Sequence, residues 1–232
     1  MTTFTPRLEI LPPEQRRLWP ELAPAAGLGL VLYGGTAIAL RLGHRPSVDF
    51  DFFTEAPLDR QAIRAALPFV RRSLVVQDER EAWTMLVPVA GGERPQVKVS
   101  FFGGLDFGRV GEPERSADGV VVAASLADLL ATKVRVVLQR AEAKDYRDIA
   151  RMLAAGARLE DGLAAALVLF GPSFQPSECL RALVFFRDGD LATLSQAEKQ
   201  ALVTAASGTR KLPDVRILSR RLGADLANDL AR

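Results

Sequence analysis

The sequence predicts an α+β fold, with a sheet-bearing N-terminal part followed by a helical C-terminal part. Three observations lead there. Up to residue 123, short apolar runs alternate with Gly, Pro and charged turns, the pattern of strands and tight connections. Beyond residue 123, Ala- and Leu-rich segments place apolar side chains three and four residues apart, the helical period. The length of 232 residues, with 48% hydrophobic and 25% charged residues, is that of an ordinary globular chain of one large or two small domains. The change of texture sets the expected domains at residues 1–123 and 124–232.

Each element has a local reason. Pro12 and Pro13 suit a helix start, so a first helix is expected over Pro13 to Leu22. Gly29 to Tyr33 reads as a strand, broken by Gly34 and Gly35, and Thr36 to Leu42 reads as a helix opening just after the glycines. Val48 to Phe53 is the next strand, and Leu58 to Leu67 a helix ended by Pro68. Val70 to Val76, Trp83 to Val89 and Gln96 to Phe102 read as strands, the last two joined through Gly91 and Gly92, and Val120 to Ala123 as a short one. Ser125 and Asp128 form a capping-box variant opening a helix to about Arg140. Helices are then expected over Lys144 to Ala155, Leu159 to Phe170, Pro176 to Phe186, Gln196 to Ala206 and Pro213 to Leu230.

Composition excludes several classes. One cysteine, Cys179, rules out an intrachain disulfide and a cysteine-built zinc site, and it sits in an apolar helical pattern that implies core packing. One histidine, His44, rules out a His-rich metal site; in its loop it reads as a structural hydrogen-bonding residue. No apolar run has the ~18–20 residues needed to cross a bilayer. Met1 to Pro13 lacks the pattern of a secretory leader, so the expected location is cytoplasmic. Net charge is +2, and residues 123–232 hold 16 of the 30 basic side chains against 13 of the 28 acidic ones. That mild excess neither demands nor excludes an RNA partner.

The segment Leu32 to Phe53 carries the chemistry. Asp49 and Asp51 alternate with Phe50 and Phe52, so on a strand both carboxylates share one face and both rings the other. Carboxylates ~6–7 Å apart along a strand repel unless a cation lies between them, and Mg²⁺ commonly takes one or two carboxylates together with substrate phosphates. Gly34 and Gly35 let backbone approach a phosphate, the helix N-terminus after them is electropositive, and Thr36 adds a hydroxyl. Glycine pair, helix and acid pair together describe a triphosphate site. No Gly-x-Gly-x-x-Gly dinucleotide fingerprint is present, and the residues before Asp49 make a poor phosphatase strand.

These residues resemble the nucleotidyltransferase superfamily of the DNA polymerase β type. In detail Gly34 to Ala37, Leu40 to Arg45 and Ser47 to Phe53 are similar to the AbiEii/AbiGii toxin branch of nucleotidyl transferases. A second match is Lys133, Arg140, Lys144, Asp145 and Asp148, similar to the family's lysine on one helix and Arg/Lys-Asp step on the next. The resemblance implies a nucleotidyltransferase-type mixed sheet flanked by helices, with Asp49, Asp51, Lys133 and Asp145 catalytic. It implies Gly34, Gly35, Thr36, Ser100, Arg140 and Lys144 at the nucleotide and Mg²⁺ on Asp49 and Asp51.

The implied reaction joins an acceptor hydroxyl to the α-phosphate of an NTP, with loss of pyrophosphate. RNA, tRNA in particular, is the implied acceptor and a cognate antitoxin the implied partner. A small-molecule acceptor and a non-catalytic nucleotide-binding module are the alternatives. The sequence departs from the pattern at one place: superfamily enzymes usually carry a third carboxylate on a later strand, and on Val97 to Phe102 its place is taken by Ser100. Three alternatives are open: Asp106 or Asp145 substitutes for the acid, catalysis uses one metal, or activity is weak or lost. Lys133 is expected at an exposed helix surface, where its removal would weaken NTP binding and leave stability near that of the parent.

Overall fold

The computed structural model describes residues 1–90 and 96–224. The chain forms two compact units. The first comprises Met1–Gly108, Glu112–Ser125 and the described residues from Ser219 on; the second comprises Arg109–Gly111 and Leu126–Leu218. The main division falls between Ser125 and Leu126, and the described residues from Ser219 on belong to the first unit. There the Leu222 N–H donates to Glu55 Oε2 at 3.0 Å, and Leu222 is fully buried.

The first unit is built on an eight-stranded mixed sheet. In chain order its elements are β1 (Thr3–Phe4), α1 (Pro13–Leu18), β2 (Val31–Tyr33), α2 (Gly34–Leu42), β3 (Asp49–Phe53), α3 (Arg60–Ala66), β4 (Leu74–Glu79), β5 (Ala82–Pro88), β6 (Gln96–Phe102), β7 (Glu114–Ser116) and β8 (Val122–Ala123). The spatial order is β1-β7-β8-β2-β3-β6-β5-β4. β3 lies antiparallel to β2 and parallel to β6, so the acid strand is central. One sheet face is filled by Phe50, Phe52, Trp83 and Phe101, all fully buried, with Phe52 and Phe101 stacked at 5.7 Å. The opposite face carries Asp49 and Asp51.

Two elements of the first unit depart most from their expected bounds. The first α-helix stops at Leu18, and Trp19–Leu28 continue as 3-10 turns with Pro24 inside, because Pro20 and Pro24 cannot supply the N–H groups an α-helix needs. Val70 belongs to a 3-10 turn, Pro68–Arg72, which buries Phe69 and Val70; the strand starts only at Leu74. The connection expected through Gly91 and Gly92 lies outside the described residues, but β5 and β6 pair antiparallel up to Pro88 opposite Gln96.

The second unit contains α4 (Leu126–Val136), α5 (Ala143–Ala154), α6 (Leu159–Phe170), α7 (Pro176–Leu183) and α8 (Gln196–Gly208). α6 packs closely on α4 at Gly162, where an added Cβ would stand 2.5 Å from Leu130 Cγ. Cys179 is buried with its Sγ 3.2 Å from the Val134 carbonyl oxygen, and burial pushes its thiol up to about 12. A Ser195–Glu198 capping box starts α8. The helix expected over Pro213 to Leu230 does not form across residues 213–224; positions 225–230 lie outside the described residues. The spacing of Leu212, Val215 and Leu218 imitates a helical stripe. The chain instead runs on without helix, with the Leu218 N–H donating to the Arg109 carbonyl at 2.8 Å. Among the described residues no helix is long and apolar enough to cross a membrane.

Candidate active site

The glycine pair and the acid pair meet. Tyr33, the last residue of β2, pairs with Asp51 on β3, and the chain turns directly into α2 at Gly34. Gly34 has φ +72°, and a Cβ added there would stand 2.8 Å from Asp51 Oδ2. Only glycine provides both that backbone conformation and room for the carboxylate. The N-terminal N–H groups of α2, which have no partner within the helix, therefore lie beside an acid of the neighbouring central strand. A Cβ on Gly35 would stand 2.5 Å from Arg45 Nη2 and 3.2 Å from Ser47 Oγ, so the Arg45 guanidinium lies against the second glycine.

Thr36 is buried, and its hydroxyl is turned into the fold. It lies 2.8 Å from Ser47 Oγ and donates to the Asp49 carbonyl, pinning α2 to the start of β3.

Strand register completes the site. In the parallel pair β3/β6, Asp49 lies opposite Lys98 and Asp51 opposite Ser100; β5 then places Thr84 opposite Ser100. Paired residues point to the same face, so Asp49, Asp51, Lys98, Ser100 and Thr84 share it. Ser100 is buried beside Asp51, where the third carboxylate of the pattern would stand. Lys98 Nζ lies 3.0 Å from Asp49 Oδ2, with the two side chains 42% and 32% exposed. Asp106 is exposed in the loop after β6, and among the described residues no group of three Asp, Glu, His or Cys side chains able to hold a metal occurs.

The donor set can be tested for Mg²⁺. Two half-exposed carboxylates from one strand are hard oxygen donors, and such a pair suits an ion that completes its shell with phosphate oxygens and water. The residues fit one such ion.

In the second unit, Lys133 of α4 is held between two acids of α5. Its Nζ lies 2.6 Å from Asp145 Oδ1 and 2.7 Å from Asp148 Oδ2; both carboxylates are without exposed surface and the lysine side chain is 7% exposed. This corrects the expected exposed position: the two acids that enclose the lysine come from the neighbouring helix, which spacing along α4 could not show. Arg140 Nε donates to Asp145 Oδ2 at 2.9 Å, and Lys144 pairs with Glu142 at 2.6 Å; these two cations are about half exposed. Burial works to raise the Asp145 carboxyl. The Lys133 charge and the hydrogen bonds from Arg140 and Lys133 outweigh it, and the carboxyl lies below the usual carboxylate range. Asp145 is thus a committed ion-pair member.

A family model for the nucleotidyl transferase AbiEii toxin of type IV toxin–antitoxin systems matches residues 17–220. The chain belongs to this family. An uncharacterized protein of Aquifex aeolicus (strain VF5) is 32% identical over 120 residues, 51% of this chain and 54% of the relative; the match spans about half the length of that curated relative. In fold the chain is similar to MenT4, a nucleotidyltransferase toxin from Mycobacterium tuberculosis H37Rv. The TM-score is 0.52 at 15% identity, over 82% of this chain and 86% of that one. The mixed sheet with its flanking helices is therefore the α+β architecture that the sequence resemblance implies.

Within this AbiEii-family chain, the fold gathers the sequence-derived residues into two groups. Gly34, Gly35, Thr36, Asp49, Asp51 and Ser100 come together on the sheet of the first unit. Lys133, Arg140, Lys144 and Asp145 come together on α4, α5 and their connection in the second. Sequence reasoning missed Lys98 and Arg45 as members of the first group. Lys98 had a readable signal, since it shares the Ser100 face of its strand. Arg45 had only its position in the family-like segment.

Proposed function

We propose that this chain transfers a nucleotide from an NTP to an acceptor hydroxyl on RNA, a tRNA end in particular. In this reading it acts as the toxin of a cytoplasmic toxin–antitoxin pair, with a cognate antitoxin as partner. The observation that carries the reading is the contact of Gly34 with the Asp51 carboxylate at the start of α2. It sets a phosphate cradle and an acid pair side by side.

Backbone N–H groups of Gly34, Gly35 and Thr36 bind the triphosphate through the N-terminal end of α2. Asp49 and Asp51 would hold Mg²⁺, which would neutralise phosphate charge and polarise the phosphoryl oxygens. The acceptor hydroxyl gives its proton to solvent as its oxygen bonds the α-phosphorus, and the bond from that phosphorus to the bridging oxygen of the β-phosphate breaks to release pyrophosphate. The chain contributes alignment and charge stabilisation. In the helical unit, Lys133, Asp145 and Asp148 fix α4 to α5, and the half-exposed Arg140 and Lys144 are the cations of this motif offered to phosphate.

The test is incubation with α-phosphate-labelled NTPs, Mg²⁺ and total RNA, with small alcohols as parallel acceptors. Label is expected in tRNA-sized RNA, abolished by chelation and by Asp49→Ala or Asp51→Ala in folded protein. Transfer that persists in both variants removes the site assignment. Label in the alcohols alone replaces the acceptor.

A further inference from the structure

The same-face cluster on β3 and β6 contains a cation of its own. Lys98 Nζ sits 3.0 Å from Asp49 Oδ2 through in-register parallel pairing, and the third acid position, beside Asp51, holds Ser100. Ser100 and Lys98 together compensate in charge. Three carboxylates with two divalent cations sum to a single positive charge. Two carboxylates, one ammonium and one divalent cation sum to the same. A serine at the acid position and a lysine on Asp49 together balance the charge with one divalent ion fewer.

We propose that the Lys98 ammonium occupies the role of the second cation, so that this chain works with one divalent ion, held by Asp49 and Asp51. The proposal rests on the nucleotidyl-transfer reading of the same site. A second divalent ion at this face would meet the ammonium at close range and lack a third carboxylate to offset the repulsion. The ammonium is tethered by a flexible four-carbon stem and is strongly hydrated, so it acts as a movable point charge. On this account Ser100 is part of a working arrangement and does not mark lost activity.

The experiment counts Mn²⁺ bound to the full chain in the presence of a non-transferable α,β-methylene NTP, by electron paramagnetic resonance. The parent protein is expected to bind one Mn²⁺ per chain. Lys98→Met is expected to bind one, severalfold more tightly because Asp49 no longer shares its charge, while transfer to RNA falls about a hundredfold. A purely structural lysine would not give tighter metal with slower transfer. Lys98→Ala combined with Ser100→Asp is expected to bind two. Two Mn²⁺ on the parent protein, unchanged or weaker Mn²⁺ binding in Lys98→Met, or a folded double variant that still binds one would each overturn the proposal. Asp49→Ala and Asp51→Ala serve as the reference: if neither alters Mn²⁺ or nucleotide binding, the site reading itself fails, independently of Lys98.

Discussion

Asp49 and Asp51 on β3, and Asp145 and Asp148 on α5, are both closely spaced acid pairs in family-like motifs, yet the fold uses them in opposite ways. The strand pair sits at a half-exposed sheet face, beside glycine, with the half-exposed Lys98 on Asp49. The helix pair has no exposed side-chain surface and is closed around Lys133, with Arg140 on the outer oxygen of Asp145. Partial exposure keeps the desolvation cost of the strand acids low and leaves them able to take an external cation. Full burial would be prohibitive for the helix acids without cations supplied by the chain itself. Burial, more than residue type, separates an acid pair open to an external cation from one closed around a cation of the chain.

The largest effect expected from this contrast is at Lys133. Lys133→Ala leaves two buried carboxylates facing each other and should cost about 3–5 kcal/mol of stability, read from urea midpoints. A stability equal to the parent's would erase the distinction between the two pairs. Next comes pH. The Asp145 carboxyl lies below its unfolded value of ~3.9. Its contribution is therefore full above that value and is lost as pH falls through the lower, folded one. Unfolding free energy should fall more steeply below about pH 4 in the parent than in Asp145→Asn; equal slopes would mean that the carboxyl is not held by the cluster.

Two glycines sharpen the other side of the comparison. Gly29 and Gly34 have nearly equal positive φ, +71° and +72°, but an added Cβ meets nothing at Gly29 and meets Asp51 at Gly34. Both alanine variants should lose about 1–2 kcal/mol from backbone strain. Only Gly34→Ala should also weaken Mn²⁺ and nucleotide binding, measured by titration. The smallest effect belongs to Lys144→Ala. Its partner Glu142 is half exposed, so stability should change by less than about 1 kcal/mol, while RNA binding at low salt declines.

Much of the site was legible because its parts are local. Gly34 to Thr36 and Asp49 to Phe53 are separated by one helix, and alternation on a strand alone puts Asp49 and Asp51 on one face. The position of Ser100 followed from the same alternation once β6 was recognised. Lys98 on Asp49 could not be read, because it depends on the register of two strands that are far apart in sequence. The brief strands β1 and β7 are too short to show a period.

By itself the sequence determined the local chemistry: a glycine turn into a helix, a strand of alternating acids and phenylalanines, helices with apolar stripes and a missing third carboxylate. Those features depend on neighbours within a few residues, where backbone geometry is nearly fixed by residue type. Only the tertiary structure decided which charges are buried, which are paired and with what. It brought β6 beside β3, so that a lysine meets Asp49. It laid α5 against α4, so that Lys133 became an internal ion-pair member, and it drew the segment after α8 out of its helical pattern to bury Leu222 beside Glu55. Desolvation and ion pairing depend on what the rest of the chain packs around a side chain, and no local pattern carries that information.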